Sequence, residues 1–141
     1  MITYKLTKPQ TLNQLISVSR QSKIVAAQLK ASETERARLE ILAQHSVPVP
    51  SVIKQVYIAF DISFATLKSD PDGLNSCAKP ILDGLVKAKI ITDDSLVQVA
   101  HTMFFSYFRA KREEQCVYLH IFFNPDAYFK HIEKKLSCLE K

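Results

Sequence analysis

The segment Val52–Phe64, with the sequence VIKQVYIAFDISF, has the most regular pattern in the chain. From residue 56 onward the segment has an apolar side chain at every second position: Val56, Ile58, Phe60, Ile62 and Phe64. Successive side chains of a β-strand point to opposite faces, so this alternation predicts a long strand with one face on a core. Asp61 falls on the opposite face, from which it could approach a functional site.

The residues before this strand predict a short strand and a long helix. Ile2–Leu6 alternates apolar and polar residues, which is typical of a strand. Thr7–Lys23 is polar and contains a proline, so we expect it to begin as a loop. From about Ser22 to Gln44 helix-favouring residues dominate, although Ala31–Arg38 is polar enough for a break or an exposed turn. The apolar residues available for an inward face are Ile24, Leu29, Leu39 and Leu42.

The residues after this strand predict a helix and two more strands. In Leu74–Lys89 the apolar residues recur at helical spacing, which predicts a helix. Because proline removes a backbone hydrogen bond inside a helix, either the regular helix begins near Lys79, with Pro80 in its first turn, or it is kinked there. Leu96–Phe108 and Cys116–Phe123 alternate as strands do. The residues expected on one face of the first are Val97, Val99, Met103, Phe105 and Tyr107, and on one face of the second Val117, Leu119, Ile121 and Phe123.

The charged segment Arg109–Glu114 is interpreted as a hairpin loop between these two strands. Asn124 followed by Pro125 is typical of a helix start, so residues 125–141 predict a C-terminal helix. Its expected inward face is Phe129, Ile132, Leu136 and Leu139. Since no repeat or linker interrupts the chain, residues 1–141 predict one α+β domain with a small mixed or antiparallel sheet of about four strands packed with helices.

Composition limits the class of protein. A chain of 141 residues with 47% hydrophobic content has the size of one globular domain. No apolar run reaches the roughly 18–20 residues needed to cross a bilayer, and the N-terminus lacks a signal-peptide pattern, so we expect no membrane partner and a cytoplasmic location. The net charge of +5 is compatible with a polyanion partner. Cys77, Cys116 and Cys138 are expected to be reduced apolar side chains.

Residues 70–94 concentrate carboxylates in an otherwise basic chain. Asp70 and Asp72 open this stretch, and Asp93 and Asp94 close it. Mg²⁺ prefers oxygen ligands, and residues two apart on an extended chain project to one side, so these aspartates predict a magnesium site that would serve phosphodiester chemistry. The alternative is structural, because Asp-Pro-Asp-Gly is also a common turn composition and Asp93-Asp94-Ser95 can be a solvated loop.

The helix within this stretch resembles a known family. Lys79-Pro-Ile-Leu-Asp83-Gly-Leu85, followed by Asp93-Asp94, resembles the RusA-like Holliday junction resolvases, small phage and prophage crossover junction endodeoxyribonucleases, over residues 2–123. The family has an asparagine where this chain has Gly73, and its lysine follows the first acidic pair more closely. An insertion of about one helical turn keeps the acidic pair in register; a gapless alignment would place Gly73 and Asn75 on the metal-binding aspartates instead.

The resemblance implies specific roles and partners. It implies Mg²⁺ as cofactor, with Mn²⁺ able to substitute, and a homodimer acting on branched DNA, a four-way junction. Lys79 would contact the scissile phosphate, and Asp83 would pair with Lys79, four residues before it. The implied metal ligands are Asp70, Asp72 and Asp94, with Asp93 assisting, and the implied catalytic residues are Asp70, Asp72, Lys79 and Asp94.

Several basic residues are candidates for DNA phosphate contacts. Lys68 adjoins the first acidic pair, and Arg20 follows a segment similar to the family's N-terminal proline–asparagine loop. Arg109, Lys111 and Arg112 form a basic group that is either a phosphate contact or a solvated loop tip. The four histidines have no spacing typical of a metal site, so we expect ordinary surface or strand residues.

Three functions remain open from the sequence. The first is a Mg²⁺-dependent endonuclease that resolves Holliday junctions by metal-activated water attack on phosphodiester bonds. The second is a catalytically impaired junction-binding protein with the same fold, which Gly73 and the displaced lysine motivate. The third is an interaction module in which the acidic segments are turns.

Overall fold

The chain forms a four-stranded mixed sheet with helices, in a computed structural model. The structure describes residues 1–10, 12–49, 55–65, 76–108, 111 and 115–139. The strands are β1 (Ile2–Thr7), β2 (Val56–Phe64), β3 (Val99–Phe108) and β4 (Cys116–Phe122). The helices of the described ranges are α1 (Leu12–Gln21), α2 (Lys23–Gln44), α3 (Ala78–Lys87) and α4 (Pro125–Ser137). The prediction of one small α+β domain is confirmed.

The strands lie in the order β1-β4-β2-β3. Strand β4 is antiparallel to both β1 and β2, whereas β3 is parallel to β2. The predicted hairpin between β3 and β4 is therefore wrong, because β2 lies between them. Parallel strands need a long crossover connection, and the chain between β2 and β3 provides it with helix α3.

Strand β2 is central and buried on both faces. The predicted apolar row lies in the main core, with side chains that are at most 7% exposed. Its other face carries Ala59, Asp61 and Ser63, which are buried as well. A smaller second core forms on that face under helix α4, from Ala59, Phe105, Phe122, Tyr128 and Ile132. The alternation was read correctly, but the second buried face was not predicted.

Strand β3 begins three residues later than predicted. Leu96 and Val97 are 88% and 79% exposed in the turn before the strand. A register shift then follows, because Val56 pairs with Val99 but the next residue of β2 pairs with His101. This irregularity places Val99 in the main core, whereas Phe105 lies in the second core. The single face predicted for Val97, Val99, Met103, Phe105 and Tyr107 is therefore wrong at its start.

The N-terminal helices differ from the sequence prediction in two respects. Helix α1 occupies most of the segment that was expected to begin as a loop. Helix α2 starts after Ser22, whose side chain accepts a hydrogen bond from the Val25 N–H, and continues without a break through Ala31–Arg38. Its buried residues are Ala26, Glu33, Thr34, Ala37 and Ile41, whereas the predicted inward residues Ile24, Leu39 and Leu42 are exposed. At Ala37 the small side chain allows close packing against Gly84 of α3.

The two later helices start where their sequences indicate. Helix α3 begins at Ala78, which places Pro80 in the first turn, one of the two predicted arrangements. Residues 74 and 75 of the predicted helix lie outside the described ranges. Helix α4 has Asn124 as its cap. Its buried residues are Tyr128 and Ile132, and the predicted inward residues Phe129, Leu136 and Leu139 are exposed. Among the described helices, none combines the length and apolarity that crossing a membrane requires.

Candidate functional site

Lys79 connects helix α3 with the loop that follows it through two ion pairs. It lies in the first turn of α3, and its ammonium contacts two carboxylates. Nζ is 2.8 Å from Oδ1 of Asp83, one turn further along the helix, and 2.5 Å from Oδ2 of Asp94, in the segment between α3 and β3. The predicted pairing of Asp83 with Lys79 is confirmed. Asp94 is brought to the N-terminal end of α3.

Gln98 fixes the loop that carries the second acidic pair. Its side chain is buried, and its Oε1 accepts hydrogen bonds from the Thr92 N–H, the Thr92 hydroxyl and the Asp93 N–H, each at 2.7 Å. Its backbone carbonyl accepts a hydrogen bond from the Val56 N–H at the start of β2. Asp93 Oδ1 accepts a hydrogen bond from the Asp94 N–H at 2.8 Å. The position of Asp94 thus depends on the sheet through Gln98.

The contacts of Lys79 affect the ionisation of the cluster. Hydrogen bonds from Lys79 lower the pKa of Asp94, so this carboxylate is ionised at neutral pH. Hydrogen bonds to Asp83 and Asp94 in turn raise the pKa of Lys79, which keeps the ammonium charged. One positive charge faces Asp83 and Asp94, and Asp93 adjoins them. The cluster therefore has an excess of negative charge, which favours binding of a further cation.

The structure brings together only part of the predicted site. Lys79, Asp83 and Asp94 are in contact, and Asp93 is their neighbour. Arg20, at the end of α1, and Lys111 are exposed, and neither forms an ion pair with these aspartates in the described part of the chain. The remaining predicted residues lie outside the described ranges: Asp70, Asp72, Lys68, Arg109 and Arg112.

A second polar group lies on the other face of the sheet. Asp61 is 7% exposed there, and its Oδ2 accepts hydrogen bonds from Lys135 and from His120, the latter at 3.3 Å. The Lys135 ammonium also donates to the Tyr107 hydroxyl at 3.1 Å. His131 of helix α4 lies beside His120, with ring centroids 5.0 Å apart. Asp61 therefore faces this group under α4, and not the acidic cluster, which the sequence left open as a site that it could approach.

Sequence reasoning missed this second group because its members are far apart in the chain. Asp61, His120 and His131 come from β2, β4 and α4, so no short spacing links them. The sequence contained one signal of this group. Asp61 and His120 are titratable side chains, and each lies on the face of its strand opposite the apolar row. This signal becomes informative only when β2 and β4 are known to be neighbours.

The two groups suit different cations. Asp93 and Asp94 offer only carboxylate oxygens, which Mg²⁺ and Mn²⁺ accept. Asp61, His120 and His131 offer one carboxylate and two imidazoles. Comparison of the sequence with protein-family models finds no match, and comparison with curated proteins finds no significant match.

Proposed function

We propose that this protein is a divalent-metal-dependent endodeoxyribonuclease that cuts branched DNA at four-way junctions. The observation that carries the proposal is the contact between Lys79 and Asp94, at 2.5 Å. These residues belong to the two halves of the motif that resembles the RusA-like resolvases. A cation for phosphate and a carboxylate for metal are thus next to one another on the protein surface.

The donor set fits Mg²⁺. Asp94 is ionised because Lys79 lowers its pKa, and Asp93 adds a second exposed carboxylate. Asp70 and Asp72 complete the proposed set of ligands from the segment that leads into α3. When bound there, Mg²⁺ would supply charge neutralisation and an activated water for hydrolysis.

Lys79 is suited to bind a phosphate oxygen. An ammonium has three N–H donors, and Asp83 and Asp94 use two of them. The side chain is 67% exposed, so a DNA strand can reach it. Asp83 fixes the lysine along the helix, while the third donor stabilises negative charge on the phosphate. We assign Lys79 to phosphate binding and Asp83 to positioning of Lys79.

The resemblance also motivates a partner and an assembly. A homodimer places two equivalent sites about a two-fold axis, which matches the symmetry of a four-way junction. Lys68, Arg20, Arg109, Lys111 and Arg112 are the proposed contacts to the DNA backbone. An enzyme of this kind acts in the cytoplasm. Light scattering of the free protein and of its junction complex measures the dimer directly.

Cleavage of a labelled four-way junction tests the proposal. We expect cutting that requires Mg²⁺ or Mn²⁺ and stops in EDTA. Asp94→Asn and Asp72→Asn should abolish cutting while junction binding persists. Asp126→Asn is the matched control, because Asp126 is an exposed aspartate in the first turn of α4, away from the acidic cluster.

Two results would contradict nuclease activity. If the wild-type protein binds the junction without cutting it, and Asp72→Asn binds equally well, the protein is the catalytically impaired junction binder. If it does not bind the junction even at low salt, the acidic segments are turns in an interaction module. A linear duplex of the same sequence separates junction selectivity from general DNA affinity.

A further inference from the structure

Three side chains converge beneath helix α4, on the sheet face opposite the main core. Asp61 from β2, His120 from β4 and His131 from α4 each offer one ligand atom, and these three atoms lie within 4.8 Å of one another. The pairing of β2 with β4 places His120 opposite Ala59, two residues from Asp61. Asp61 and His120 are therefore diagonal neighbours on one face, which brings their side chains together.

Two polar atoms of this group are buried without a hydrogen-bond partner in the described part of the chain. They are Oδ1 of Asp61 and Nε2 of His131. Asp61 as a whole is 93% buried, since its exposure is 7%. A buried polar atom without a partner destabilises a fold, and such atoms commonly have an ion or a water as partner. These two atoms therefore point to a ligand between β2, β4 and α4.

His120 is oriented from outside the group. Its Nδ1 is 2.9 Å from the Thr3 hydroxyl on β1. Without an ion, Nε2–H donates to Asp61 and Nδ1 accepts from this hydroxyl. With an ion bound, the proton would lie on Nδ1 and donate to the hydroxyl, so that the Nε2 lone pair would face the ion. Metal-binding histidines are typically held by such a hydrogen bond at the other ring nitrogen.

We propose that Asp61, His120 and His131 bind a divalent transition-metal ion of the zinc class. Two imidazole nitrogens and one carboxylate oxygen are a donor set that Zn²⁺ and Co²⁺ accept, whereas Mg²⁺ prefers oxygen. This site is separate from the carboxylate cluster around Asp94. Three protein ligands leave the fourth tetrahedral position for a water or another small ligand.

The three ligand atoms lie within reach of one small ion. Ligand atoms about 2.0–2.2 Å from Zn²⁺ in a tetrahedron lie roughly 3.3 Å apart, and the three atoms of this group lie within 4.8 Å of one another. Small side-chain rotations would close the group around an ion that Asp61 binds through Oδ1, which accepts no hydrogen bond in the described part of the chain.

Lys135 sets the strength of this site. Its ammonium donates to Oδ2 of Asp61 and to the Tyr107 hydroxyl, so it orients the carboxylate and leaves Oδ1 for the ion. Its positive charge also repels a nearby divalent cation. Replacement of Lys135 by an uncharged side chain of similar length therefore strengthens metal binding.

The test is a metal titration of the full chain after treatment with EDTA. It uses ZnCl₂ in calorimetry and CoCl₂ in visible spectroscopy, in an Asp94→Asn background that removes one carboxylate of the competing cluster. We expect one ion per chain and the d–d absorption of tetrahedral Co²⁺. His131→Gln should weaken binding by at least about tenfold. Loss of a residue that only hydrogen-bonds to a metal ligand typically has an effect of that size. Lys135→Met should tighten it.

Matched variants separate this site from other histidines and from cysteines. His45→Gln should leave the affinity unchanged, because His45 contacts Tyr4 outside the group. Absence of binding, an unchanged affinity in His131→Gln, or a thiolate-to-cobalt charge-transfer band would overturn the proposal. An unchanged or weaker affinity in Lys135→Met would overturn the placement of the ion at Asp61. Circular dichroism verifies the fold of each variant, and Lys135→Met decides if His131→Gln does not fold.

Discussion

Lys79 and Asp94 are 15 residues apart in the chain, yet Nζ of the lysine lies 2.5 Å from Oδ2 of the aspartate. The contact spans from the first turn of α3 to the loop before β3. It holds two parts of the acidic stretch together at the surface. Exposed ion pairs contribute little to stability, so we expect this contact to add little to the free energy of unfolding.

Lys79→Met should separate these two roles. The ammonium is mostly exposed, so we expect the free energy of unfolding to change by less than about 1 kcal/mol. If Lys79 binds the scissile phosphate, junction cleavage should fall on the order of 100-fold, as for loss of one donor to developing charge. Urea denaturation and single-turnover cleavage measure the two quantities. A cleavage rate equal to that of the wild type would remove Lys79 from the proposed site.

Gln98→Met should disturb the loop of Asp93 and Asp94. Methionine fills a similar volume but cannot accept the three hydrogen bonds that Gln98 Oε1 accepts from Thr92 and Asp93. We expect a loss of about 1–3 kcal/mol in the free energy of unfolding, because these donors then depend on water. Urea denaturation measures this loss. A Gln98→Met variant as stable as the wild type would show that the hydrogen bonds do not hold the loop.

The sequence predicted those parts of the fold that local patterns control. The alternation of Val56–Phe64 identified the central strand, and Asn124 with Pro125 identified the start of α4. Both depend on neighbouring residues alone. The order of the strands depends instead on which strands pair with β2. Since β3 and β4 pair with its two opposite edges, the interpretation of residues 109–114 as a hairpin loop was wrong.

Helix α2 shows a second limit of the sequence. Its large apolar residues, such as Ile24 and Leu39, indicated an inward face, but they are exposed. Ala37 faces inward because Gly84 of α3 allows the two helices to approach closely. The inward face combines Ala37 with the large Ile41, and it is the packing against α3 and the sheet that selects this face.

The same contrast holds for the candidate sites. The pairing of Lys79 with Asp83 follows from their spacing on one helix, and it was predicted. The sequence grouped Asp94 and Lys79 in one candidate site, but it did not predict their direct contact. The group of Asp61, His120 and His131 depends on strand order and on the docking of α4, so local spacing could not reveal it.

Gly84→Ala should destabilise the protein although alanine favours helices. A Cβ at this position would lie 2.8 Å from the Ala37 Cβ and 3.1 Å from the Arg38 backbone nitrogen. Overpacking costs about 1–3 kcal/mol, whereas the helix propensity of alanine over glycine returns only about 1 kcal/mol. We expect a lower free energy of unfolding in urea.

Ala37→Gly in the Gly84→Ala background is the matched test of this contact. It removes the Cβ that the new methyl group meets, so the two substitutions should be less destabilising together than the sum of their separate effects. A double-mutant cycle measures this coupling. Additive effects would show that the side chains at positions 37 and 84 do not interact, and that their contact does not set the distance between α2 and α3.

His131→Gln should reduce the pH dependence of stability in weakly acidic solution. Burial lowers the pKa of His131, and the neighbouring His120 and Lys135 act in the same direction. In the unfolded chain this histidine binds a proton as the pH falls below its ordinary pKa of 6.5, whereas in the folded protein it stays neutral to lower pH. The unfolded state therefore binds more protons in that window, and the wild type loses stability as the pH falls.

Asp61 acts at lower pH, which allows the two effects to be separated. Burial would raise the pKa of Asp61, but hydrogen bonds from His120 and Lys135 outweigh burial and lower it. Its stabilisation is thus present above the unfolded pKa of about 4 and is lost as the pH falls through the folded value. Urea unfolding between about pH 5 and 6.5, with EDTA present, should give a smaller slope for His131→Gln than for the wild type. Parallel curves would show that His131 takes up its proton equally in both states, which its buried Nε2 argues against.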